Sequence, residues 1–417
     1  MKRTRERLLR LGVLALIFGM LTVQSTWARW MHGTSMPISR LLKNMGDYVK
    51  MHPKDPLGYY TLGRINSAGF AQDTENVIFY THGELPAFPD HAGLAPPSRD
   101  RTKPLTPHSL TYLFDAVSNY KQATEIAPSD GLAWLGLAFQ CEEALPYPQA
   151  IDRASDALAR PEKLGAESLR HEALRLYRKA YMLTIKTDTI KPLGLSYPVS
   201  MEAAQGIVRL QKKSILSAVE QSEITTLKQK IAAFRKRPRM ITPILISFQR
   251  RTTLPDLLAP RSRVRFDLAG DGMGGRWPWI KPTTGILVWD PGHTGKITSG
   301  LQLFGSVTWW LFWKDGYEPL AALDNDHNGR LEGAELQGIA VWFDLNGNGI
   351  ADPGEVVSLP SLGITSIAVH SAGLTEGVSA NAEGVHLRDG SYLPTFDWTP
   401  TSLPNTKTTA SHGKDLF

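Results

Sequence analysis

Apolar side chains recur at intervals of three and four in three stretches of the first half: LFDAVSNYKQATEI (113–126), SLRHEALRLYRKAYML (168–183) and MEAAQGIVRLQKKSILSAV (201–219). That period lines up one face of a helix, so each stretch is expected to be helical. Between 67 and 109 the period is lost among crowded prolines and glycines (ELPAFPDHAGLAPPSRDRTKPLTP), which predicts an inserted loop. A basic run, Arg235-Lys236-Arg237-Pro238-Arg239, closes the helical half and reads as a solvated linker. ITPILISF (241–248) then reads as a strand, and beyond it the chain turns rich in Gly, Asp, Asn and Trp.

Within the helical half, small and aromatic residues keep a register. Ala116, Tyr120, Ala123 and Pro128 are followed by Trp134, Leu137 and Ala138. Parts of the same register return in Pro53, Tyr59, Leu62 and Gly63, and in Ala173, Tyr177 and Ala180. A small residue lets two helices approach, and the aromatic beside it fills the gap. This pattern resembles the tetratricopeptide repeat over residues 53–182, stretched by the 67–109 insertion and again near 145–165. The resemblance implies helical hairpins with a concave surface for a protein or peptide partner. A generic helical bundle with Ala/aromatic packing is the alternative.

The amino end adds a targeting expectation. Residues 1–10 carry five basic side chains, an apolar run spans Leu11 to Val23, and Thr26-Trp27-Ala28 supplies small residues for cleavage. Residues 1–28 therefore read as a signal peptide and the protein as exported, periplasmic or secreted; an uncleaved amino-terminal anchor is the alternative. No other stretch approaches the roughly 20 apolar residues needed to cross a bilayer. The 46 basic and 40 acidic residues give a net +6, but residues 261–417 hold 11 basic and 17 acidic ones. The chain is bipolar, so its net charge is no argument for nucleic acid, and none is expected as a partner. A single cysteine, Cys141, excludes an intramolecular disulfide and a Cys-rich metal site.

The acidic half carries the sharpest chemistry. Asp324, Asp326, Asn328, Arg330, Glu332 and Glu335 stand at positions 1, 3, 5, 7, 9 and 12 of a twelve-residue loop, and Asp344, Asn346, Asn348, Ile350, Asp352 and Glu355 repeat the spacing. Calcium takes about six to eight oxygens at roughly 2.3–2.6 Å, which short alternating side chains on a tight loop can supply. Position 7 offers only its carbonyl, so Arg330 and Ile350 are acceptable there. Gly329 and Gly349 at position 6 permit the sharp turn. Two calcium ions are expected, the first loop favoured by its extra carboxylate. Only LQGIAVWF (336–343) separates the loops, which predicts one short connecting helix.

Two upstream stretches read as eroded copies. Asp290 to Thr298 keeps the turn glycine but has Leu301 at position 12, and FDLAGDG has Ala269 where an oxygen is wanted. Both are expected to be structural turns. From Phe266 to about Val369 the chain resembles the EF-hand-type calcium module of exported bacterial proteins, including carboxyl-terminal parts of haemolysin-like RTX proteins. Gln302 stands where such modules carry an acid before LFG. Val307–Trp313 (VTWWLFW) departs from the pattern; core packing is one reading, an exposed docking patch the other.

No HExxH and no Gly-x-Ser-x-Gly occurs, and Glu142-Glu143 reads as a solvated helix face. The expected fold is a mainly α amino-terminal body of tetratricopeptide-like hairpins plus a small α+β EF-hand-like calcium domain. The expected order is signal peptide 1–28, helical domain 29–232, linker and strand 233–260, calcium domain 261–372 and carboxyl-terminal extension 373–417. The expected function is calcium binding by an exported, non-enzymatic interaction protein, with no membrane contact beyond the signal segment. The alternative is an exported hydrolase with structural calcium.

Overall fold

A computed structural model describes residues 33–73, 76–80, 99, 104–147, 166–190, 198–211, 216–234, 240–249, 252–270 and 275–402. The signal segment, most of the 67–109 insertion and the basic run 235–239 lie outside the described residues. A short strand β1 (Gly33–Pro37) pairs antiparallel with β2 (Asn76–Tyr80). Among the described residues the first half holds seven helices, α1 (Ile38–Met51), α2 (Pro56–Gln72), α3 (Pro107–Ile126), α4 (Gly131–Ala144), α5 (Ala166–Ile190), α6 (Val199–Gln211) and α7 (Ala218–Phe234), with the periodic stretches 113–126 and 168–183 inside α3 and α5. The stretch 201–219, read as one helix, is divided between α6 and α7. Four of these N-termini are capped by short oxygen side chains: Asp55 accepts from Leu57 N, Thr106 from Ser109 N, Asp130 from Leu132 N and Ser217 from Glu220 N.

Each helix packs chiefly on its neighbours in sequence, and α2 also touches α4, as α4 does α6. The register of small and aromatic residues is the reason these helices come so close. Tyr120 is fully buried between α2 and α4, where a Cβ on Gly63 would lie 2.7 Å from its ring and one on Gly136 closer still. Ala116, Ala123, Ala138, Ala173, Tyr177 and Ala180 share this core. Glu142 and Glu143 are not the solvated face expected of them. Arg209 clasps Glu142 through two bonds of 3.1 and 2.9 Å, Tyr177 adds a third, and buried Glu143 accepts from Arg99 N. Nothing local marks these acids as paired, because Arg209 is 67 residues away. Burial pushes the neighbouring Cys141 thiol up to about 12, which leaves it inert at neutral pH.

The carboxyl-terminal half overturns the expected fold class. It is a curled antiparallel sheet of nine strands, not a small α+β EF-hand domain. The strands are β3 (Ile244–Ser247), β6 (Thr284–Trp289), β7 (Arg330–Glu332), β8 (Ile339–Trp342), β9 (Val356–Ser358), β10 (Ile364–Ala368), β11 (Gly373–Thr375), β12 (Val378–Leu387) and β13 (Tyr392–Asp397). Their order is β7-β10-β12-β13-β3-β6-β8-β9, with β11 beside β12. A separate hairpin joins β4 (Leu258–Phe266) to β5 (Gly275–Ile280), and two single-turn helices, α8 (Leu254–Leu257) and α9 (Glu318–Ala321), complete the half.

The curl follows from connectivity. β7 ends at Glu332 and β8 begins at Ile339, and seven residue steps reach at most about 25 Å. The same two strands stand six places apart in the sheet order, which in a flat sheet would put them about 29 Å apart. The sheet therefore bends until its ends approach. Central strands β3, β6 and β8 are buried along their whole length, which requires cover on both faces. Ile286 pairs with Trp342 and Trp289 with Ile339, so Trp342 and Trp289 point to opposite faces. Phe266 and Trp279 of the β4–β5 hairpin pack on Trp342; Phe304 and Trp309 pack edge-on to Trp289. The VTWWLFW segment is thus core, and the exposed-patch reading fails: Trp309, Trp310, Phe312 and Trp313 are all at most 3% exposed. Trp310 and Phe312 also touch the helical half, Arg64 of α2 bonding Trp310 O at 2.7 Å and lying over the Phe312 ring.

Candidate metal centre

The first loop runs from the end of α9 into β7, and the second fills the turn between β8 and β9. In the first, buried Asp324 accepts from Gly329 N at 2.9 Å through Oδ2. Its Oδ1 is buried and accepts no hydrogen bond. Glu335 folds back across the loop, accepting from Asn325 N at 2.5 Å and from Glu332 N at 3.1 Å. Asp326 takes the Asn328 backbone and amide N–H groups, and Asn328 Oδ1 takes Arg330 N. One oxygen each from Asp324, Asp326 and Glu335 lies within 4.8 Å of the other two. Two oxygens on opposite sides of a calcium ion are about 4.6–5.2 Å apart, so this separation matches a shared ion. Glu332 lies on an exposed face of β7.

Electrostatics reflect the crowding. Burial, then the Asp326 side chain and the Glu335 charge, raise the Asp324 carboxyl, against the Gly329 N–H that favours the charged form. Arg40 of α1 brings a positive charge that interacts with Glu335 and Asp324. It donates to the carbonyls of Leu323 and Glu335 and to Asn325 Oδ1, so it ties the loop's two ends together from outside. Asn44, one turn on, donates to Ala322 O and Asn325 Oδ1 at 3.0 Å each.

In the second loop Asp344 is fully buried and accepts from Asn348 N at 3.0 Å, Gly349 N at 2.8 Å and Trp279 Nε1 at 2.5 Å. Glu355 accepts from Leu345 N, Asp352 N and, at 3.4 Å, Trp342 Nε1. The amides of Asn346 and Asn348 both donate to Asp352 Oδ2. Position 7 differs between the loops: Arg330 Nε reaches Ser366 Oγ on β10, whereas the Ile350 side chain is exposed.

The short helix expected between the loops is absent. A 3-10 turn at Gly333–Leu336 stops at Gln337, the next residue, Gly338, has a φ of +86° that no right-handed helix tolerates, and the remaining apolar residues form β8. A run this short does not reveal its period, so helix and buried strand look alike in sequence. The upstream turn at Asp290 keeps the bond from position 1 to the position-6 glycine, Gly295 N lying 2.9 Å from Oδ2. The other Asp290 oxygen is taken by the Thr294 N–H and hydroxyl. Gln302 closes the turn, its Oε1 accepting from Thr298 N and its amide donating to Lys296 O. A neutral amide thus satisfies the position-7 carbonyl that a cation would otherwise take. Asp267 accepts from Ser299 Oγ, and the rest of its turn, 271–274, lies outside the described residues.

Four side chains central to these loops escaped the sequence reading: Arg40, Asn44, Trp279 and Trp342. Arg40 is 285 residues from Asn325 and Trp279 is 65 from Asp344, and no spacing rule links residues so far apart.

One comparison with known proteins falls on this half. The family model for the SPM domain matches residues 256–396. The iron-regulated protein FrpA of Neisseria meningitidis serogroup C is 36% identical over 107 residues, 24% of this chain. The chain spans about a tenth of that relative's length. The SPM match runs from α8 to β13 and takes in both loops, but omits β3, which lies in the middle of the sheet between β13 and β6. Among the described residues no helix is long and apolar enough to cross a membrane.

Proposed function

We propose that the protein binds two calcium ions, one in each loop, and that the ions fix the curled sheet against a helical half that presents a surface to a protein partner. The observation that carries this reading is the orphaned Asp324 Oδ1, buried beside the oxygens of Asp326 and Glu335. A buried carboxylate oxygen without a donor is costly, and a divalent cation is the partner its neighbours suit. The first ion would be held by Asp324, Asp326, Asn328, the Arg330 carbonyl and Glu335. The second would be held by Asp344, Asn346, Asn348, the Ile350 carbonyl and Glu355, with Asp352 at position 9. Oxygen-only donors and a loose loop favour calcium over magnesium, which demands a small octahedron. Export from the cell, where calcium is plentiful, belongs to the same proposal.

Isothermal titration of the chelated chain with calcium is expected to give two ions, Glu335→Gln and Glu355→Gln each removing one. Each occupied site adds about 2.7 kcal/mol at a hundredfold excess over its Kd, seen as a rise in Tm. Zero stoichiometry with an unmoved Tm would overturn the proposal.

A further inference from the structure

The β4–β5 hairpin turns its apolar side chains inward and its arginines outward. Val264, Phe266, Trp277 and Trp279 are buried, whereas Arg261, Arg263, Arg265 and Arg276 are exposed. The register sets Arg265 directly opposite Arg276, with Arg263 two residues along on the same face. Arg261 stands in the irregularity between Ala259 and Arg263. Like charges directly across a strand pair destabilise it, and nothing in the chain relieves this pair. Among the described residues none of the four arginines forms an ion pair, and Arg263 Nη1 donates to backbone, the carbonyls of Pro260 and Ser262. Residues 261–417 hold 17 acidic and 11 basic residues, yet no acid is committed to this face. The charge is concentrated, unneutralised and open to a partner.

A second observation beside it is apolar. Leu345 and Ile350 of the second loop are 57% and 47% exposed. That loop borders the hairpin: a Cβ on Gly349, the residue before Ile350, would lie 2.0 Å from Val264 Cγ1 and 3.1 Å from the Arg265 carbonyl oxygen. The two residues serve the loop through their backbones, Leu345 N donating to Glu355 and Ile350 N to Asn348. Their side chains are left to solvent. This pairing discriminates between anionic partners. A soluble polyanion would engage the arginines and leave both aliphatics in water. A lipid surface engages both, since phosphate headgroups accept the paired donors of a guanidinium and the acyl boundary takes apolar side chains.

We propose that the β4–β5 hairpin and the exposed side of the second loop dock on a membrane surface of anionic phospholipid. Arg261, Arg263, Arg265 and Arg276 take phosphate headgroups, and Leu345 and Ile350 enter the layer beneath them. This contact replaces the expectation that the chain meets no membrane beyond its signal segment. It goes beyond the calcium reading, because neither the arginines nor the two aliphatic side chains are metal ligands.

Cosedimentation of the full chain, in calcium, with vesicles of phosphatidylcholine alone or of equal parts phosphatidylcholine and phosphatidylglycerol tests it. Binding is expected to the anionic vesicles and not to the neutral ones. An arginine near an anionic surface is worth about fivefold in binding, so Arg265→Gln combined with Arg276→Gln is expected to lose about 25-fold. Leu345→Ser combined with Ile350→Ser is expected to lose about tenfold. The arginine variant also removes a like-charge pair, so its Tm is expected at or above the parent's, which separates lost docking from lost folding. Full vesicle binding by the arginine variant, as calcium bridging alone would give, overturns the proposal. So does equal binding of neutral and anionic vesicles, or an unchanged affinity of the Leu345/Ile350 variant. Retention on heparin without vesicle binding would assign the face to a soluble polyanion and overturn it as well.

Discussion

Two loops of the same length and spacing are held in place by opposite means. The second is braced from within its own half: the Trp279 and Trp342 indoles reach Asp344 and Glu355, and Gly349 sits against Val264 of β4. Every oxygen of Asp344 and Glu355 has an N–H donor. The first is braced from outside by Arg40 and Asn44 of α1, its position-6 Gly329 faces open space, and Asp324 Oδ1 goes without a donor. The difference teaches that carboxylate count and preorganisation are separate quantities. The first loop has more charge and greater need of a cation, while the second pays less to be ordered before one arrives.

The sharpest break in this comparison is expected from the position-6 glycines. Both have positive φ, +87° at Gly329 and +73° at Gly349, so alanine strains either by about 1–2 kcal/mol. At Gly349 the added methyl also overlaps Val264, and Gly349→Ala is expected to cost about 3 kcal/mol or more against about 1–2 for Gly329→Ala, by denaturant unfolding. Equal costs would mean that the second loop is not braced by β4. Next in size, Trp279→Phe keeps most of the ring but deprives buried Asp344 of a donor. It is expected to cost about 1–3 kcal/mol and to weaken one calcium step of two. Smallest is Arg40→Gln, expected to cost about 1 kcal/mol and to disturb the other calcium step alone. A change in both steps from either substitution would show that the loops share their support.

Most helices of the first half were legible, because their apolar period is long and their packing uses small and aromatic residues at fixed offsets. The ligand spacing at 324–335 and 344–355 was equally plain, since it is local. The sheet was not. β6 and β8 are short apolar runs without alternation, and strands buried on both faces lose the period-two signal that marks exposed ones. The VTWWLFW segment left two readings open for a related reason: an aromatic run reads the same whether it faces solvent or, as Trp309 and Trp310 do, the interior.

By itself the sequence determined what neighbouring residues can do together: turn, cap, line one face of a helix, converge short oxygen side chains on a point. These depend on spacings of a few residues, which the backbone fixes wherever the chain goes. Tertiary structure alone decided that residues 336–343 become a strand, and that an indole from β5 and a guanidinium from α1 reach the loops. Those outcomes rest on burial and on contacts across scores to hundreds of residues, and such contacts leave no period to read.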